Sequence, residues 1–347
     1  MKKPTTKRFW TFLFILLNIA VIAITAFNEF GNSENAAKLT DVDIKWWLLL
    51  PAAACFVVAI TLEIAKYVLM MRQTGHPVKD AWRTARRTVL IGRYYDNITP
   101  AAIGGQPFQI YYMNKTAGLP AGLATTIPII GMISGQIGFL IIAIFAFIFG
   151  GATINNATLV ATACFGLIFY AFWPVAILLA TFFPKITTAI IHFSIKVLAK
   201  FRIVKNKQAA LDKATAGIDE YVKSVKLILK TRGLFFKTIL MSVVFHLLVS
   251  SIPFFVLQAF GGDISFMGCF LTTVAVTAAV YFVPTPGNAG AAEGTFYLVF
   301  SGLSSGFVFW AMLIWRFFSY YIYVIMGAIT YLIMRLEKKA KTNVQTH

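Results

Sequence analysis

The sequence has little charge and few reactive side chains. Asp, Glu, Lys and Arg make up 13% of its 347 residues, histidine occurs four times and cysteine three times. So small a charged share cannot cover the surface of a soluble domain of this length. Cys55, Cys164 and Cys269 stand far apart in apolar runs, with no C-x-x-C and no clustered histidines. Neither a disulfide framework nor a metal site is expected. There is no Walker motif, no G-x-S-x-G and no H-E-x-x-H, so ATP hydrolysis and the common hydrolase chemistries have no support. No cofactor is expected either.

What is abundant is hydrocarbon: 59% of residues are hydrophobic and mean hydropathy is +0.75. The composition predicts an all-α integral membrane protein. Runs near twenty apolar residues, enough to cross a hydrocarbon core about 30 Å thick, fall at 9 to 27, 45 to 71, 123 to 149, 157 to 183, 235 to 260, 265 to 283 and 306 to 334. The first run lacks the A-x-A-like site of a signal peptide and reads as a retained helix. Two further segments, 94 to 114 and 284 to 303, are apolar but interrupted.

Of the 31 basic residues, 26 lie in the N-terminus, loop 72 to 93, Lys115, loop 184 to 233 and the C-terminal tail. The positive-inside rule puts these segments, with both termini, in the cytoplasm of a plasma-membrane protein. The formal charge of +18 then faces the anionic leaflet and implies no nucleic acid. Cytoplasmic termini require an even number of crossings. Segment 94 to 114 should therefore enter and return, and 284 to 303 should supply the eighth crossing from broken pieces. Loop 184 to 233 has apolar residues at helical spacing with lysines between them. That pattern suits amphipathic helices lying on the membrane or packed on each other. The chain reads as one polytopic membrane domain, 1 to 347.

The interrupted segments share a pattern. In "ITPAAIGGQPF" (98 to 108) and "PTPGNAGAAEGTF" (284 to 296), Thr99-Pro100 and Thr285-Pro286 are each followed four residues after the proline by Gly104 or Gly290. Each then reaches a polar residue, Gln106 or Glu293, where a helix should start; Asn288 sits inside the second break. Pro107 suits a first helical turn, and Gly118 with Pro120 can end the helix. Backbone broken inside a membrane survives only if buried in protein or lining a wet cavity. Paired Gly/Pro-interrupted segments point to a midplane binding site between inverted repeats. Helix N-termini after Gly104, Gly105 and Gly290 would offer N–H donors to a phosphate.

Ionisable residues within the apolar runs are Glu63, Lys66, Asp96, His246, Glu293 and Arg316, with Arg93 at a margin. Such residues are expected at functional sites. Glu63 and Lys66, three apart, suggest a local ion pair with the lysine reaching outward. His246 suggests a helix-packing hydrogen bond, and Gly131 with Gly135 a close helix contact. Asp96 and Glu293 read either as turn and cap formers or as site residues. Arg316 lies deep in a long apolar helix and needs an acid, for which Glu293 and Asp96 are available. The expected site sets Arg316, Arg93 and the glycine N-termini against a lipid phosphate, with Glu293 and Asp96 against an ammonium.

"DNITPAAIGGQPFQIYYMNKTAGLP" and "VPTPGNAGAAEGTF", joined by helices and a basic central loop, resemble the membrane domain of the lysylphosphatidylglycerol synthase/flippase family, the multiple peptide resistance factors. The second motif departs slightly, reading Pro-Gly-Asn-Ala-Gly where a Gly-Gly pair is more usual. In bifunctional members, the resemblance implies, this domain moves aminoacylated phosphatidylglycerol between leaflets while a C-terminal cytoplasmic domain transfers lysine from lysyl-tRNA. The sequence ends at His347, so that catalytic domain is not expected here. The expected function is translocation of phosphatidylglycerol or its lysyl derivative. The expected partners are that anionic phospholipid, the membrane and a separate cytoplasmic synthase, with a homodimer as a further option. Two rivals remain open: a membrane-embedded head-group transferase using Asp96, Glu293 or His246, and a scaffold docking a synthase through the basic loop.

Overall fold

The computed structural model describes residues 44–76, 78–99, 104–150, 157–200, 206–230, 232–302 and 307–345. Among these the protein is all-α, without a strand. The predicted first span, 9 to 27, and Pro100 lie outside the described residues. A 3-10 turn, Trp46–Leu48, leads into α1 (Leu49–Gln73). There follow α2 (Ala81–Ile98), α3 (Gly105–Tyr111), α4 (Ala121–Gly150), α5 (Ala157–Phe182), α6 (Pro184–Lys200) and α7 (Lys207–Lys230). The remainder is α8 (Arg232–Ala259), α9 (Phe266–Val280), α10 (Ala291–Ser301), α11 (Val308–Arg316) and α12 (Ile322–Gln345). A π-turn, Phe317–Tyr321, joins α11 to α12.

Among the described residues, five helical stretches are long and apolar enough to cross a membrane: Trp46–Gln73, Ala121–Phe149, Ala157–Ile177, Gly233–Ala259 and Val308–Glu337. The protein is thus multi-pass. Pro128, Pro174 and Pro253 sit inside α4, α5 and α8, where neighbouring helices make them tolerable. The run at 265 to 283 differs from expectation. Its helix α9 has 15 residues, about 22 Å at 1.5 Å per residue, which is too short to cross alone. Ser265 caps its start, accepting from the Gly268 N–H at 3.1 Å.

Loop 72 to 93 also differs. From Ala81 onward it is the helix α2, begun by Asp80, whose carboxylate accepts from the Arg83 N–H at 2.9 Å. Thr84, Ala85, Thr88, Val89, Leu90, Ile91 and Gly92 form its buried face. The first break therefore starts at Thr99, and Arg93 and Asp96 lie on a helix packed against α1 and α12. Contact with α12 is close because Gly327 has no Cβ to meet Tyr94 and the Leu90 carbonyl.

α8 packs on α1 and α4, and α9 packs on α5, where Gly166 faces the Ala278 backbone carbonyl. The amphipathic pair α6 and α7 pack on each other, joined by His192 Nε2 and Thr215 Oγ1 at 2.8 Å, and α7 also docks on α4. α6 leaves Ile186, Ile190 and Phe193 exposed.

Candidate functional site

The first break is held open by its own side chains. Thr99 Oγ1 donates to the Tyr95 carbonyl at 2.6 Å and accepts from the Gly104 N–H at 2.9 Å. Asp96 Oδ1 accepts from the Gly105 N–H at 2.9 Å, so the acid from before the break satisfies the helix start after it. A Cβ on Gly105 would collide with that carboxylate.

The second break is built differently but also closes on an acid. Asn288 Nδ2 donates to the Val280 carbonyl at 2.7 Å, satisfying the end of α9, and Thr285 Oγ1 donates to the Ala289 carbonyl at 2.9 Å. Gly287, Asn288 and Gly290 have φ of 60°, 55° and 87°, which explains the Gly-Asn-x-Gly sequence. Glu293 Oε2 accepts from the Gly290 N–H at 2.7 Å. Its other oxygen, Oε1, accepts from Arg316 Nε at 2.6 Å, and Arg316 Nη2 donates to the Gly287 carbonyl at 3.1 Å. Both side chains of this pair are at most 5% exposed. The Tyr320 ring, 4.7 Å from the guanidinium carbon, covers the arginine. It fits because Gly287 has no Cβ in its way.

The two breaks meet. The turn Pro286–Asn288 packs on α2, and Tyr320 Oη donates to the Asn97 carbonyl at 3.4 Å. Between them lies a cavity of about 540 Å³, within the range of about 300–1,000 Å³ usual for small-ligand sites. Arg93, Asp96, Asn97 and Gln106 line it from the first side, and Gly287, Asn288, Arg316 and Ser319 from the second. Helices α1, α4 and α8 add Glu63, Tyr67, Gln136 and His246, among others.

A family model described as the lysylphosphatidylglycerol synthase TM region matches residues 9–327 of the chain. The chain belongs to this family. A comparison with curated proteins found no match. Membership brings a role connected with membrane lipid, and the cavity is the place in this family member where polar groups gather.

Not every polar group there is free. Lys66 is 1% exposed and turns inward, correcting the expectation of a lysine reaching outward. Its ammonium contacts Glu63 Oε2 at 2.8 Å, the Gly131 carbonyl at 3.2 Å and Ser242 Oγ at 3.1 Å, tying α1 to α4 and α8. Three partners for three donors make the inward position cheaper than the sequence suggests. His246 Nε2 lies 3.1 Å from the Gly135 carbonyl. Tyr67 Oη donates to Gln109 Oε1 at 3.5 Å, and Gln109 Nε2 donates to the Thr88 carbonyl at 3.2 Å.

Arg93 differs from these groups. Among the described residues its guanidinium has no ion pair and no hydrogen bond; the guanidinium carbon lies 5.2 Å from the Phe245 ring and 5.5 Å from the Tyr323 ring. Asp96 Oδ2 likewise has no hydrogen bond there. Buried Gln136 Oε1 and Ser319 Oγ also lack a partner, and both residues line the cavity.

The residues singled out in the sequence thus divide in two. Arg93, Asp96, Gln106, Asn288 and Arg316 line the cavity. Thr99, Gly104, Gly105, Thr285, Pro286, Gly290 and Glu293 do not, and form the breaks behind it. The N–H groups of Gly104, Gly105 and Gly290 donate to Thr99, Asp96 and Glu293. Glu63, Tyr67, Gln109, Gln136 and Ser319 were not singled out as cavity groups. The one local hint was Gly131 and Gly135, whose carbonyls receive Lys66 and His246.

Proposed function

We propose that this protein translocates a phospholipid across the plasma membrane, passing the head group through the cavity while the acyl tails stay in the bilayer. The observation that carries this reading is Arg93, whose guanidinium makes no ion pair or hydrogen bond among the described residues and lines a cavity where two broken segments meet. A partly buried guanidinium with no direct partner is open to an anion, and a bound phosphate would supply one. Arg93 would receive the phosphate, and Asp96, through Oδ2, an ammonium. Arg316, already paired with Glu293, would contribute partial charge and hold the second break in shape. Asp96 and Glu293 each accept from an N–H at the start of the helix that follows a break, which supports an inverted-repeat relation between the segments. Family membership points to phosphatidylglycerol and its lysyl derivative as first substrates to try. The basic segments support cytoplasmic termini.

Reconstitution tests the reading. Fluorescent phosphatidylglycerol and lysyl-phosphatidylglycerol in liposomes should exchange between leaflets with wild-type protein, and at least tenfold more slowly with Arg93→Gln. Exchange equal to that of empty vesicles would refute translocation. Lysine transfer from lysyl-tRNA by the purified chain would favour the transferase instead.

A further inference from the structure

Helix α6 carries an apolar face that crossing the membrane does not account for. On α5, Val175, Leu179 and Phe182 are exposed at spacings of four and three residues, as one helix face in hydrocarbon should be. The chain enters α6 without a loop: the Phe183 N–H donates to the Leu179 carbonyl at 2.8 Å and the Thr187 N–H to the Phe183 carbonyl at 3.2 Å. The same spacing continues through Ile186, Ile190, Phe193 and Val197, all exposed, Phe193 by 67%. Yet α5 alone has 26 residues, about 39 Å at 1.5 Å per residue, enough for a core about 30 Å thick. The stripe on α6 is therefore apolar surface left over after the crossing. α7 does not cover it. That helix meets another face of α6, at His192 and Thr215, and buries Ile218, Val222 and Val225, the last in one core with Ile127 and Ile130 of α4.

We infer that α6 is an in-plane anchor, lying in the head-group layer of an anionic cytoplasmic leaflet with its stripe against the upper acyl chains, while the outer face of α7 stays in water. Lys185 and Lys196 are exposed. Eleven residues apart, three helical turns, they border one edge of the stripe. From there their stems cover apolar surface and their ammonium groups reach lipid phosphates. The exposed side chains of α7 are of another kind: Gln208, Asp212, Asp219, Lys223 and Lys226. An anionic surface repels the two acids and gains nothing from so polar a face. Charge also decides between the leaflet and a second copy of this chain. A symmetric contact between two copies pairs like patches, so it would bury Ile190 and Phe193 but bring lysine-bordered stripes together. The leaflet supplies both hydrocarbon and anions.

Spin labels on the full chain in liposomes test this, in a background where Cys55, Cys164 and Cys269 are replaced by alanine. Labels at Ile190→Cys and Phe193→Cys should be several-fold more accessible to oxygen than to a water-soluble nickel chelate, and labels at Gln208→Cys and Asp212→Cys the reverse. If one α6 variant fails to fold, the other carries the measurement. The α6 labels should sit deeper in membranes of phosphatidylglycerol and phosphatidylcholine than in phosphatidylcholine alone, and Lys185→Gln/Lys196→Gln should remove that difference. Nickel accessibility on α6 equal to that on α7 overturns the inference, as does equal depth in the two membranes. Dipolar broadening of the α6 labels that grows with the ratio of protein to lipid would assign the stripe to a second copy and overturn it too. None of these readouts depends on what the cavity carries.

Discussion

Replacing Glu293 by Gln removes the charge that Arg316 faces while keeping an acceptor for the Gly290 N–H. Arg316 would keep only the Gly287 carbonyl at 3.1 Å and the Tyr320 face. An arginine cannot escape by losing its proton, so the full cost of an unmatched buried cation appears, about 3–5 kcal/mol for breaking such a pair. Arg316→Met should cost a similar amount, because it strands Glu293 beside one N–H. The double variant Glu293→Gln/Arg316→Met leaves no unmatched charge and should lose less than either single change. Equilibrium unfolding in mixed micelles, run as a double-mutant cycle, measures the coupling. Costs that add to within about 0.5 kcal/mol would show that the pair does not hold the second break, and the reasoning would fail.

Three other expectations follow from the geometry. Gly287→Ala should cost more than about 1 kcal/mol, because φ is 60° and the new Cβ meets the Tyr320 ring; thermal unfolding reads the loss. Gly105→Ala should cost about 1–3 kcal/mol by pushing Asp96 off its N–H partner, read in the same thermal unfolding. Glu337→Gln should cost at most about 1 kcal/mol although Arg83 and Arg87 both reach Glu337 at 2.6 Å, since that carboxylate is 38% exposed; a loss above about 3 kcal/mol in the same unfolding assay would contradict this.

Much of the fold was legible because lipid imposes a simple rule, length and apolarity for each crossing. The interrupted segments 94 to 114 and 284 to 303 were legible for the converse reason, as Gly and Pro interrupt otherwise apolar runs. Helix α2 was not. Its buried face is partly Thr84, Ala85, Thr88 and Gly92, small or polar residues that match the close approach of α12 and Gln109 and do not resemble a hydrophobic stripe. Arg93 was accordingly placed at a membrane margin, although it was already expected at the phosphate site with Arg316. Lys66 was misplaced because its three partners come partly from Gly131 and Ser242, on helices far away in sequence. The Glu293 cap, three residues from Gly290, is a local pattern, whereas Asp96 reaches Gly105 across nine residues and a break. Short-range capping can be read from spacing; contacts across a break cannot.

The most direct measurement is a structure in nanodiscs containing phosphatidylglycerol and an aminoacylated form of it. The account predicts head-group density inside the cavity, its phosphate against Arg93 between Phe245 and Tyr323, and loss of that density in Arg93→Gln. Lipid density confined to the outer apolar surface, with the cavity filled by water alone in both proteins, would contradict it.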